Sequence, residues 1–445
     1  MPATTFEELI AEAKAFEVKA DAEETPDEDT LHLYEQALDA YASASALQPR
    51  DDGCLYNWGR ISFILAGFLD EVDPEAKADY LSTAMDKFRA ALEVSPEHGE
   101  CNYTLAQALI ASADHKAEEE EDDEGANADL TEAGELFAKV FTIQEAQLAK
   151  GEPKDDPVTE DNLVDTLVGH CEALNSLAYL TDSKDAYETH FTQAIQLLER
   201  AIALRPTRKS ELLQEWAGVL ESRAEKRGDE AGRVEDADYD EALAKLDEAC
   251  EVDPKNADAF CDKGDLLLTV AHARLITAAI DADQSEEAAI SPEKAAAAES
   301  AVWEGYGHAC TAYEKAAELE PESVGILQKL GDLCFTRSRL QMTAAKEAEA
   351  SLLSKAEEWY RAGLAKDDGD EELIIRLAQV LFAQGGAKAA EVDALIIRFK
   401  ELGGLPDDVI EEPELFEEDF ITKVAEHFPE DEFDEDDDED ESDEE

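Results

Sequence analysis

The chain has 445 residues, enough for a large core or for two ordinary domains. Its 111 Asp and Glu against 38 Lys and Arg leave a formal net charge of −73. That balance disfavours direct binding of nucleic acid or an anionic membrane, whose phosphates it would repel, and it favours a basic protein as partner. No run of about 18 apolar residues and no basic stretch followed by an apolar run occurs, so an intracellular chain, nuclear or cytoplasmic, is expected.

Residues 4–22 read as a helix with Phe6, Ile10 and Ala13 on one stripe and Thr5 as its N-cap; with the turn that follows, they make a lead-in segment, 1–30. From there to residue 402 one spacing recurs. It is first met as Ala37, Tyr41, Ala44 and Pro49, then as Ala84, Phe88, Ala91 and Pro96. It returns as Ala194, Leu198, Ala201 and Pro206, as Ala242, Leu246, Ala249 and Pro254, and as Ala309, Tyr313, Ala316 and Pro321. Ala133, Phe137 and Val140 form a copy without the proline; Ala356, Tyr360 and Gly363 form one with Asp368 in its place. On a helix this spacing sets two small residues and a ring or leucine on one face, and the proline lies past the end because it cannot continue the hydrogen-bond ladder. About ten residues after each proline position comes another small residue: Gly59, Ala106, Gly264, Gly331 or Ala378. After Pro206 the pattern slips by one, onto Trp216 and Ala217.

Read as helices, the segments are 31–47; 55–69 with 76–94; 100–113 with 130–148; 159–180 with 186–204; and 210–224 with 239–252. They continue as 257–279 with 294–319, 323–345 with 348–365, and 372–384 with 387–402. Charged insertions interrupt them at 114–129, 226–238 and 280–293, all in one phase of the repeat. Residues 118–124 are all acidic and read as an exposed loop. Residues 403–429 read as a cap, with a short helix near 415–428 covering the last apolar face, and 430–445 as a disordered acidic tail.

A small residue on one helix followed by Ala-x3-aromatic-x2-Ala-x4-Pro on the next resembles the tetratricopeptide repeat (TPR). The resemblance covers most of 30–402. It implies an all-α, right-handed α-solenoid of about seven helix pairs whose inner groove holds a peptide or helix. Copies at 37 and 84, and at 309 and 356, lie 47 residues apart, against the usual ~34. The extra residues fall between the first and second helix of a pair. They imply either longer helices or extended loops there.

The seven cysteines are odd in number and form no CxxC, which reads as buried free thiols. The eight histidines are scattered, and no HExxH, phosphate-binding glycine loop or GxSxG is present. His170 and Cys171 are neighbours on a helix and point about 100° apart, so they do not meet. A non-catalytic chain without metal or cofactor is expected.

Two kinds of binding site are candidates. Asn57, Arg60, Lys87 and Arg89 suggest the two-carboxylate clamp by which some TPR domains hold heat-shock chaperone tails; the matching places on the next first helix are Thr104, Leu105 and Gln107, so the set is incomplete. The other candidate is acid: Glu118, Glu119, Glu120, Glu121, Asp122 and Asp123 in the first insertion, and Phe433 with Asp434, Glu435 and Asp436 in the tail. The tail resembles the acidic-aromatic pegs of histone-binding tails. Ser442 before Asp-Glu-Glu looks like an acidophilic-kinase site. The layout is similar to the nuclear autoantigenic sperm protein class of histone chaperones and to dedicated ribosomal-protein chaperones. A chaperone or escort of a basic client is therefore expected, with a structural scaffold or a heat-shock co-chaperone as alternatives.

Overall fold

The computed structural model describes residues 4–22, 28–69, 73–119, 122–150, 158–231, 236–283, 292–340, 343–405, 409, 416 and 418–428. Among them are seventeen α-helices and no strand, in two units, Met1–Glu230 and Ala231–Glu445. Unit 1 contains α1 (Phe6–Ala20), α2 (Glu28–Leu47), α3 (Asp52–Phe68), α4 (Pro74–Val94), α5 (Gly99–Glu118), α6 (Asp123–Lys150), α7 (Glu160–Leu180), α8 (Lys184–Leu204) and α9 (Lys209–Ala231). Unit 2 contains α10 (Asp236–Val252), α11 (Ala257–Asp283), α12 (Pro292–Leu319), α13 (Val324–Arg339), α14 (Thr343–Leu364), α15 (Glu371–Gln384), α16 (Ala389–Leu402) and α17 (Glu418–Ala425).

The helices pack in consecutive pairs, α1 on α2, α3 on α4, α5 on α6 and α7 on α8 in unit 1, and α11 on α12, α13 on α14 and α15 on α16 in unit 2. Most second helices then meet the next first helix, as α4 meets α5 and α12 meets α13. In unit 1 the first helices also touch one another, α3 with α5 and α5 with α7, so their free faces form one continuous inner wall. This is an array of stacked helix hairpins, as the repeated spacing predicts. α1 is the first helix of the first pair rather than a separate lead-in: its Ala13 and Ala20 share a core cluster with Tyr34, Tyr41 and Ala44 of α2.

Local chemistry sets the helix ends. Thr5 and Glu8 form a reciprocal capping box at α1, and Asp51, Asp73 and Asp370 accept the backbone amides of Cys54, Ala76 and Leu373. Helices α2, α4, α8, α10 and α12 stop at Leu47, Val94, Leu204, Val252 and Leu319, each two residues before a proline of the repeat.

The extra length of the repeat lies in the helices. Most of the insertion at 114–129 is helix rather than loop: α5 runs to Glu118 and α6 restarts at Asp123. Asp122 and Asp123 sit at the positive N-terminal end of α6, and His115 and Lys116 at the negative end of α5, so the charges suit the dipoles. Buried Asp129 ties the extension together, accepting from Ser112 at 2.8 Å and Lys116 at 2.6 Å. The insertion at 226–238 likewise adds to α9 and α10, and that at 280–293 to α11 and α12.

Packing repeats with the spacing. Ala37, Ala44, Ala84, Ala91, Ala194, Ala201, Ala242, Ala249, Ala309, Ala316 and Ala356 are buried, as are the rings of Tyr41, Phe88, Tyr313 and Tyr360. The rings lie on glycines of first helices: Phe88 on Gly59, Tyr313 on Gly264 and Tyr360 on Gly331. Phe137 instead lies on Gly169, in the first helix of the following pair. The terminal helix α17 closes unit 2, with Val409, Phe416, Phe420, Val424 and Phe428 joining the cluster around Ile374 and Ile396.

Glycine supplies a paired test. A Cβ on Gly264 would stand 2.6 Å from the Tyr313 ring, whereas one on Gly218 of α9 meets nothing within 4 Å. Gly264→Ala should lower stability by about 1–2 kcal/mol, overpacking outweighing the helix-propensity gain. Gly218→Ala should raise it by up to about 1 kcal/mol. Denaturant melts of both variants check the opposite signs.

Candidate functional site

The inner wall of unit 1 is built from stripes on successive first helices: Glu100, Gln107 and Asp114 on α5 and Asp165, Glu172 and Tyr179 on α7, seven apart, and Glu211, Glu215, Ser222 and Glu225 on α9, three, four or seven apart. The register of α7 on α9 is fixed by Asn175 donating to Ser222 at 3.1 Å and by Lys226 donating to the Tyr179 carbonyl at 2.6 Å. At one end a cavity of about 480 Å³ opens between α3, α5, α6 and α7, lined by Tyr56, Tyr103, Gln107, Gln144, Gln147 and Asn162. Amides and rings of this kind can hydrogen-bond and pack against an extended peptide.

Further along the wall stand Asp114, Glu172 and Glu215, one from each of three first helices. Burial, and then the charges of Asp114 and Glu215, push the Glu172 carboxyl above the usual carboxylate range. The Glu172 residue is nevertheless solvent-exposed. Among the described residues no cation pairs with it. Glu225, nearer the end of the wall, is pushed up in the same way by burial and by Asp229.

On the first helices of unit 2, Asp265, Asp332 and Glu372 are paired with cations, as Asp165 and Glu211 of unit 1 are with Arg208. Lys329 of α13 holds both oxygens of Asp265 of α11 at 2.8 Å, and Arg376 of α15 reaches Asp332 of α13 at 3.2 Å and its own Glu372 at 2.6 Å. Asp265 and Asp332 directly follow the glycines under the tyrosine rings, and each accepts the hydroxyl of its tyrosine, Tyr313 or Tyr360, at 2.6 Å. These carboxylates serve the packing. The Gly-Asp pairs are visible in the sequence, though only their glycines stand out there.

The clamp residues do not converge. Asn57 and Arg60 lie on α3, whereas Lys87 and Arg89 lie on the second helix α4. Arg60 and the Tyr41 hydroxyl both donate to Glu17. Lys87 lies 3.9 Å over the Trp58 ring, Arg89 binds Glu132 at 2.8 Å, and Asn57 donates to the Gly53 carbonyl at 2.8 Å. A heat-shock tail would have to displace each of these contacts. Arg205 and Arg208 are likewise engaged, with Asp161 at 2.8 and 2.9 Å and with Asp165 at 2.6 Å.

Of the acidic candidates, Glu118 and Glu119 lie at the C-terminal end of α5, and Asp122 caps α6 by accepting the Gly125 amide at 3.0 Å. Glu120, Glu121, Phe433, Asp434, Glu435, Asp436 and Ser442 fall outside the described residues. Cys171 is buried, with its thiol pushed up by burial, and burial pushes the His170 imidazole down. Sequence reasoning missed the Asp114, Glu172 and Glu215 set, whose signal was one or more acids on the same helical face of each first helix.

No protein-family model and no curated protein matches the sequence. Among solved structures, YrrB, described as a TPR protein with an unusual peptide-binding site, is 17% identical; the match covers 66% of this chain and 98% of YrrB, at a TM-score of 0.28. MamA is 16% identical, with coverages of 57% and 94% and a TM-score of 0.31. The C-terminal part of a TPR repeat-containing protein from Cytophaga hutchinsonii is 13% identical, with coverages of 82% and 99% and a TM-score of 0.37. At these scores the fold assignment rests on the packing within this chain.

The raised Glu172 carboxyl has a stability signature. The native chain holds that proton more tightly than the unfolded chain, whose carboxyl titrates near 4.5. Ionisation therefore weakens the fold as pH climbs above that value, and the penalty is fully present once pH exceeds the folded pKa. Glu172→Gln should raise Tm at pH 7, with the gain fading as pH falls toward 4.5. Thermal melts at the two pH values check this; a lower Tm at pH 7 contradicts it.

Proposed function

We propose that this TPR-type chain is a non-catalytic protein-binding protein of the nucleus or cytoplasm. In this reading the inner wall of unit 1 holds a basic segment of a client, as a chaperone or escort of a highly basic protein would. The observation that carries the reading is the placement of Asp114, Glu172 and Glu215 on three consecutive first helices, near enough for the outer two to act on the Glu172 carboxyl. Evolution of a merely soluble surface has no need to gather like charges where they repel, whereas a Lys or Arg side chain placed there relieves the repulsion. Histones and free ribosomal proteins have the required chemistry. The acidic run at 430–445 would act before contact, by steering a positive client toward the chain. A second reading, a scaffold joining two partners, is favoured by the division of the chain into two units, each with its own row of first helices.

The groove reading is tested by fluorescence anisotropy with a labelled Lys/Arg-rich peptide. Affinity should fall as salt rises. Glu172→Lys should weaken binding by at least about tenfold, or ~1.4 kcal/mol, more than the tail deletion does. Deleting 430–445 should mainly slow association. Normal affinity in Glu172→Lys, with binding abolished by the deletion, would sink the groove as the site.

A further inference from the structure

Two of the seven cysteines differ from the rest. Cys54 and Cys101 donate their thiols to the carbonyls of Tyr41 and Phe88 at 3.5 Å, and Cys250 donates to that of Ala259 at 3.5 Å. Burial pushes Cys54 up to about 11 and Cys101 up to about 12, which suits inert packing thiols. Cys310 of α12 and Cys334 of α13 instead face each other across the junction of two helix pairs, with their sulfurs 4.0 Å apart.

A cation attends this pair. Arg337, one turn beyond Cys334, stacks 3.9 Å over the Trp303 ring and donates to the Trp303 carbonyl at 3.2 Å. Its guanidinium lies over the turn of α12 that ends at Cys310, since a Cβ on Gly307 would stand 3.2 Å from Nη2. Its Nε is buried without a partner. Either sulfur can donate in this contact, and the contact favours a thiolate on Cys310; burial opposes it, Glu314 opposes it further, and Arg337 and Lys355 favour it. Cys334 is held up as the thiol that keeps its proton.

We propose that Cys310 and Cys334 are a modification site, a reversible dithiol–disulfide pair closed by a small oxidant of the peroxide class. The Cys310 thiolate attacks a peroxide oxygen, giving a sulfenic acid and, after protonation of the leaving hydroxide, water. The Cys334 thiol then attacks that sulfur, releasing a second water and forming the disulfide. Two electrons leave the thiols and reduce one hydrogen peroxide. Side-chain rotation must bring the sulfurs from 4.0 Å to bonding distance, and the bond then staples α12 to α13.

The test treats the folded, full-length chain with hydrogen peroxide, blocks remaining thiols with N-ethylmaleimide, and maps tryptic peptides without reduction. Cleavage at Lys315 and Lys329 separates the two cysteines, so a linked peptide reports the disulfide. The expected result is loss of two thiols of seven, in the peptide joining 310 to 334, restored by dithiothreitol. Cys334→Ser should trap the sulfenic acid on Cys310, read as a dimedone adduct. Arg337→Met should slow closure several-fold and move its pH profile upward, while a thermal melt shows that the variant folds. Oxidation of another cysteine first, or no linked peptide before unfolding, overturns the proposal. Unchanged kinetics in a folded Arg337→Met chain overturn the role of the cation.

Discussion

An aromatic ring resting on a glycine of the neighbouring helix is the contact on which this architecture depends. Phe88 on Gly59, Tyr313 on Gly264 and Tyr360 on Gly331 bring the two backbones closer than any larger side chain would allow. The alanines one turn either side of the ring keep that closeness along the helix, and all are buried. Each pair alone would leave an apolar face wet, so pairs stack, and α17 covers the last one in unit 2. Where the ring is a tyrosine, its hydroxyl must find an acceptor on burial. Asp265 and Asp332, next to the glycines, supply it.

Because stacking spends one side of each first helix on the core, the other side is available for partners. What it presents differs between the units. In unit 2, Lys329 and Arg376 reach across from the next pair and cancel the acids beside the tyrosines. In unit 1 the corresponding helices carry Asp114, Glu172 and Glu215, and the first and last of these push the Glu172 carboxyl up. A fold under selection for stability alone has many ways to remove such a charge; a binding surface has a reason to keep it. Net charge by itself would say only that the chain is soluble and avoids phosphate. The arrangement of a few acids on one wall says more.

Much of the fold was legible in the spacing. The Ala-x3-aromatic-x2-Ala-x4-Pro pattern located the second helices, and their ends, because both small residues and proline act locally and strongly. The length of the repeat was harder to read. DDEGANAD looks like a loop by composition, yet its acids favour a helix N-terminus and Asp129 is tied to Ser112 and Lys116 from the other helix. That pairing is a tertiary fact and leaves no local mark. Arg60 was misread for the same reason: its partner, Glu17, sits 43 residues away, on a helix that seemed to stand outside the array. The site lay half in view, since each helix shows its acidic stripe but only stacking reveals which stripes share a wall.

The central claim is that a positive partner lies along α5, α7 and α9. Amide hydrogen exchange on the full-length chain, with and without excess Lys/Arg-rich peptide, measures this directly. The account predicts slowed exchange concentrated in residues 99–118, 160–180 and 209–231, with little change in α11, α13 and α15. Protection confined to unit 2 or to residues 430–445, with those three helices unaffected, would contradict it.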